Sequence, residues 1–109
     1  MAKYKKKPVV IDAEPYRKGL EDGIEVRFTD MTGVLLPSVR FELDCWKKLE
    51  DFRTRYEKEF IIVNILPYIN TLEGKHFITN TDMIITGVKG ERYPCKKDIF
   101  EMTYERVED

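Results

Sequence analysis

The sequence predicts an α+β fold: a small antiparallel β-meander, curled toward a barrel, with one amphipathic helix packed on it. Three observations carry this. Between Tyr68 and Val107, short runs of β-prone residues alternate with Gly-containing turns. Ile24 to Thr29 alternates apolar and polar residues at period two, the mark of a half-buried antiparallel strand. From Phe41 to Phe60 the apolar spacing changes to three and four, the period of a helix. A chain of 109 residues buries roughly two-thirds of its unfolded surface, enough for one core without metal or disulfide support. One domain over 1–109 is therefore expected.

In chain order, 1–7 is a basic arm (Lys3, Lys5, Lys6, Lys7) that reads as solubilising, with an anionic partner as the alternative. Pro8 to Tyr16 is strand-like, and 17–23 is a loop. After Ile24–Thr29, Thr32-Gly33 is a turn, and Val34-Leu35-Leu36 a short return strand stopped by Pro37. The helix follows. Leu43, Trp46, Leu49, Phe52, Tyr56 and Phe60 share one face, Asp44 is a candidate N-cap, and opposite charges four apart (Lys47/Asp51, Asp51/Arg55, Arg53/Glu57, Arg55/Glu59) lace the other. Phe60 to Leu66 is nearly all apolar and reads as a central strand buried on both sides.

The closing stretch holds two hairpins, turning at Glu73-Gly74 and at Lys89-Gly90, where Gly supplies the positive φ that a tight turn needs. Asn80-Thr81-Asp82 is polar turn chemistry, with Asp82 able to bond nearby backbone. Pro94 places its strand at an edge, since proline has no N–H for a ladder. A short helical turn through Asp98-Ile99-Phe100 precedes a last strand from Met102 to Val107.

Composition narrows the function classes. Nineteen Lys and Arg against twenty Asp and Glu leave a net charge of −1, whereas strong non-specific nucleic-acid binding needs a basic surplus to displace counterions. No apolar run approaches the ~20 residues of a membrane span, and no signal-peptide core follows the basic arm. A cytoplasmic protein is the expectation. Cys45, Cys95 and His76 lie far apart with no ligand spacing, so neither a metal nor a cofactor is expected. No nucleotide-binding Gly motif is present. Glu73, Asp82, Glu91 and Asp98 are loop carboxylates that a small hydrolase would need, but no second marked group accompanies them, and no catalytic residue is assigned.

Two binding sites remain as candidates. The first is the helix face, with Trp46, Leu49, Arg53 and Tyr56 offered to a protein partner. The second is a stacking-and-charge surface for a small nucleotide, built from Lys75, Phe77, Arg92, Tyr93 and Lys96. A second copy of the chain is a further candidate partner.

The opening KKPVVIDAEPYR and the close TLEGKHFITNTDMIITGVKGERYPCKKDIFEMTYE resemble a family of small bacteriophage and prophage proteins. That family shares an opening KKPVVI-(D/E)-A and a close of TLEG followed by PGDYII-G-V-G-E-YPCKPDIFE-TYE. The match covers the first quarter and the last two-fifths of the chain. It departs at Asn80-Thr81-Asp82, where Pro-Gly-Asp is usual, and at Lys97, where Pro is usual. Gly33 to Ile65 lies outside the match, and 38–60 stands as a variable helical insert where some relatives carry a Cys-rich loop. The resemblance implies phage or prophage origin in a bacterial cytoplasm and carries no activity with it. A constant scaffold with a variable insert then leads to a non-enzymatic accessory protein that binds and inhibits a host factor, with a component of antiviral defence as the specific expectation. Sequestration of a nucleotide signal is the alternative.

Overall fold

The computed structural model describes residues 1–5 and 7–107. Lys6 of the basic arm lies outside the described residues. Among the described residues seven strands and two helices occur in the order β1 (Asp12–Pro15), β2 (Gly23–Asp30), β3 (Val39–Glu42), α1 (Cys45–Tyr56), β4 (Phe60–Thr71), β5 (Gly74–Phe77), β6 (Met83–Thr86), β7 (Arg92–Cys95) and α2 (Lys97–Thr103). The strands form two open antiparallel sheets, ordered β3-β2-β4-β5 and β1-β6-β7. The fold is thus α+β with a helix packed on a sheet, and the expected curl toward a barrel does not occur. The chain leaves one sheet for the other at the 79–82 turn. There Asp82 accepts hydrogen bonds from the Thr79 backbone N–H (2.9 Å) and hydroxyl (2.7 Å), so the polar turn read from the sequence is a corner between sheets.

β4 is the spine. Its inner face carries Phe60, Ile62 and Ile65 into a cluster with Ile24, Val26 and Phe28 of β2 and Cys45 and Leu49 of α1. Further along the same strand, Ile69 joins Ile78 and Ile84, backed by Tyr16 and Leu20. One face of one strand therefore serves two covers, α1 at its start and the three-stranded sheet at its end. The radius of gyration, 18.3 Å, exceeds the ~13 Å of a compact chain of this length. The molecule is elongated, and its shortest dimension is 23 Å.

Both expected hairpins form. The first turns one residue earlier than expected, at Leu72-Glu73, with Gly74 already paired to Thr71; in the second the Gly87 N–H bonds the Glu91 carbonyl at 2.8 Å. β7, with Pro94, is an edge strand as expected. Other boundaries differ. The helix is Cys45–Tyr56, not 41–60, because Val39-Arg40-Phe41-Glu42 pairs with β2. Phe60 begins β4 yet still packs 5.6 Å from Tyr56, so the apolar spacing of a helix runs on across a helix–strand corner. The return strand at Val34–Leu36 reduces to a single bridge, Leu35 to Thr29.

β4 is central but not buried on both sides. Ile61 is 47% and Val63 60% exposed, because nothing described covers its outer face. A bulge sits opposite Arg27/Phe28. The strand also runs through Pro67, whose carbonyl accepts from the Ile78 N–H at 2.9 Å. Backbone N–H and C=O of one residue point the same way in an antiparallel ladder. The donor that Pro67 lacks therefore faces the spot where β5 ends and leaves the β2 ladder whole. Finally, Met102 and Thr103 close α2, and 104–107 form no strand. Phe100 and Tyr104, four apart, stack with centroids 5.2 Å apart, and the Thr103 hydroxyl bonds the Ile99 carbonyl.

Gly23 locks the outer face. A Cβ there would meet the Tyr68 hydroxyl, lie 2.7 Å from the Tyr68 ring and 2.8 Å from the Phe41 carbonyl. Backbone cannot swing away as a side chain can, so Gly23→Ala is expected to destabilise by about 1–3 kcal/mol, read as a lower urea midpoint with an unchanged slope.

Candidate functional site

Two residues join β3 to α1, and both are left-handed: Leu43 has φ 48° and Asp44 φ 53°. For a residue with a Cβ this conformation costs about 1–2 kcal/mol, and a short polar side chain such as Asp tolerates it better than Leu. Asp44 holds the N-cap position, but its side chain makes no capping hydrogen bond. The helix start is instead tied by the Lys48 ammonium, which donates to the Glu42 carbonyl at 2.7 Å. The strained turn turns Leu43 outward, 83% exposed, beside the half-buried Trp46.

Trp46 is held from below and above. Its indole N–H donates to Glu21 Oε1 at 2.9 Å, and the Lys18 ammonium sits 4.3 Å from the ring centroid. Glu21 also accepts from the Tyr16 hydroxyl (2.7 Å) and the Gly19 N–H (2.9 Å). One carboxylate thereby pins the 16–22 loop to the helix. Burial first, then the bond to Glu21, holds the Tyr16 phenol well above its usual pKa. The result is a shallow groove of about 450 Å³ floored by Gly19 and Glu21 and walled by Leu43 and Trp46. At the far end of α1, Arg53 and Tyr56 border a second groove of about 460 Å³ with Phe52 and Phe60.

The four helix residues named from the sequence therefore separate. Leu49 is 4% exposed and belongs to the core; Trp46 lies at one groove, and Arg53 and Tyr56 at the other. Leu43, absent from that set, is the most exposed apolar side chain of the segment. Its signal in the sequence was a helix-phased leucine ahead of the Asp44 cap, which reads as core; only the backbone angles reveal otherwise.

The five residues of the nucleotide surface do not converge. Lys75 spans the outer face of the four-stranded sheet, 2.7 Å from Glu25, its ammonium 4.6 Å from the Phe77 centroid and 5.6 Å from that of Tyr68. Arg92 bonds Asp22 at 3.1 Å and the Leu20 carbonyl. The Tyr93 hydroxyl meets that of Tyr104 at 3.4 Å, which with burial pushes its pKa up to about 12. The groove beside Arg92 and Tyr93, about 320 Å³, also carries Glu73 and Glu91, so its charge does not favour a phosphate. Lys96 precedes α2 and borders a different cleft with Asp82 and Asp98.

Of the loop carboxylates, Asp82 is engaged by Thr79, Glu91 by the Lys89 N–H and Asp98 by the Ile99 N–H. Cys45 is buried, and that burial, reinforced by Glu21, raises its thiol pKa. Among the described residues no group of three or more His, Cys, Asp and Glu is placed to hold a metal. No protein-family model, curated protein or solved structure matches the chain.

Two outcomes follow. Leu43→Gly is expected to stabilise by about 0.5–1 kcal/mol, the relieved strain less the added chain entropy, measured by urea denaturation. Glu25 is only 6% exposed. The Lys75 hydrogen bond, against an opposing effect of burial and with help from Arg40 and Arg27, holds its carboxyl below the usual range. A depressed carboxyl contributes stability above its unfolded-state pKa and loses it as pH falls through the folded value. The loss of stability between neutral and acid pH should therefore be smaller in Glu25→Gln than in the unsubstituted chain; equal losses would show that Glu25 is not coupled.

Proposed function

We propose that this chain is a non-enzymatic accessory protein of phage origin that docks a host protein through the Leu43–Trp46 corner and inhibits it. The observation that carries the reading is the pair of left-handed residues, Leu43 and Asp44. Backbone strain persists only where surrounding structure enforces it, and it clusters at functional positions. Here it presents a leucine, 83% exposed, where a glycine would be easier. Beside that leucine stand a half-buried tryptophan that lines the groove and a lysine above its ring. An aromatic side chain ringed by apolar and charged neighbours, which a partner then buries, is a usual anchor of a protein interface. The segment belongs to the variable insert of the phage-protein resemblance, which supports a partner that differs among relatives. Inhibition of a defence component is the specific form of this reading, supported by that resemblance alone.

The test is affinity capture of the tagged chain from a bacterial host, quantified by mass spectrometry. One host protein should be enriched by the unsubstituted chain, lost with Leu43→Ser, and kept with Lys75→Ala on the opposite face. Binding that ignores Leu43→Ser in a folded variant would remove the corner from the reading. If no host protein is enriched in a saturable way, the reading fails.

A further inference from the structure

The outer face of the four-stranded sheet is not covered by any other element among the described residues. Its inner counterpart packs on α1 at one end and on the second sheet at the other. The outer face carries Ile61 (47% exposed), Phe77 (39%) and Val63 (60%), with Leu72 (98%) beyond the end of β4. At the opposite edge of the sheet, on β3, lie Arg40 and Glu42, both exposed.

We propose that this face is the interface of a two-fold dimer, with two copies stacked sheet on sheet. The axis runs parallel to the sheets and midway between them, across the strands, above the Phe41–Ile24–Pro67–Ile78 row. That row is set by the register of the strands. Such an axis lays each strand antiparallel over its own copy, so residues equidistant from the row meet. On β3, Arg40 and Glu42 flank Phe41, so Arg40 of each copy faces Glu42 of the other, twice by symmetry. On β4, Asn64 and Asn70 are equidistant from Pro67, and Leu66 and Tyr68 flank it. Ile61 lies six residues before Pro67, or five without the bulged residue, and Leu72 lies five after it. Apolar thus meets apolar at both ends, amide meets amide, and opposite charges pair. A self-complementary patch is what an isologous contact requires.

The dimensions fit a weak dimer. The four strands hold 28 residues, about 440 Å² of flat face per copy at ~3.3 Å per residue and ~4.8 Å between strands. That is about half the ~800 Å² per partner of a standard interface and places the contact among the small, concentration-dependent ones. A net charge of −1 per chain sets no large repulsion between copies. The dimer does not involve Leu43, so it stands or falls apart from the docking reading.

Sedimentation of the full chain up to about 100 µM tests it, since dimer population follows protomer concentration. Twice the chain mass is expected. Leu72→Asp, at an exposed hairpin tip where folding is undisturbed, should weaken dimerisation at least about tenfold, as should Ile61→Asp. Glu42→Arg should weaken it, because it sets an arginine against Arg40 of the second copy. Leu43→Gly should leave the mass unchanged. A chain that stays monomeric throughout would overturn the proposal and leave the face to another molecule or to solvent. A dimer indifferent to Leu72→Asp and Ile61→Asp would overturn it as well.

Discussion

The inner face of β4 is the constraint on which the rest of this structure depends. A strand presents alternate side chains to each side, and β4 presents Phe60, Ile62, Ile65 and Ile69 on one side over its 12 residues. No single small element covers so long a row. A helix of 12 residues is only about 18 Å long, so α1 covers the first part and the three-stranded sheet the second. From this follow the two separate clusters and a loop, 16–22, that lies between them. Glu21 holds that loop with hydrogen bonds to Tyr16, Gly19 and Trp46.

The same constraint explains where strain collects. α1 must begin immediately after β3 to reach the start of β4, so two residues make the whole reversal from strand to helix. A longer loop would relax Leu43 and Asp44 at little entropic cost. Nothing in the core needs Leu43 itself, since it packs on no cluster. Strain that the fold tolerates at a residue the core does not use is the physical basis for placing function there.

Much of this was legible in the sequence. The two hairpins, the Asp82 turn, the edge position of Pro94 and the sheet-packed helix follow from local chemistry: positive φ at glycine, side-chain bonds to backbone, a missing N–H. What stayed hidden was non-local. Phe41 and Phe60 fit a helical period because they pack on Phe52 and Tyr56 from neighbouring strands, and sequence spacing cannot distinguish the two origins of that contact. The apolar run Phe60–Leu66 reads as buried on both sides, but apolar sequence does not say which face another element covers. Glu25 illustrates the converse. Its place in a period-two strand made it an outward polar residue, and outward it is, yet Lys75, fifty positions later, lies across it and buries it.

That burial bears on what the outer face can do. Tyr68 is on this face and only 1% exposed; its phenol pKa is pushed up to about 12, by burial and then by Glu42. An open sheet face whose central charges are paired and whose central ring is already dry presents less polar surface to desolvate when something stacks on it. Desolvation of unpaired polar groups is what usually opposes association. The Lys75–Glu25 pair, with Arg27 and Arg40 each 3.4 Å from the same carboxylate, removes much of that opposition within one chain. Its three cations surround one anion, and the surplus positive charge sits on Arg27 and Arg40, the more exposed two. In the dimer proposed above, Glu42 of the second copy would lie opposite Arg40 and offset that charge locally.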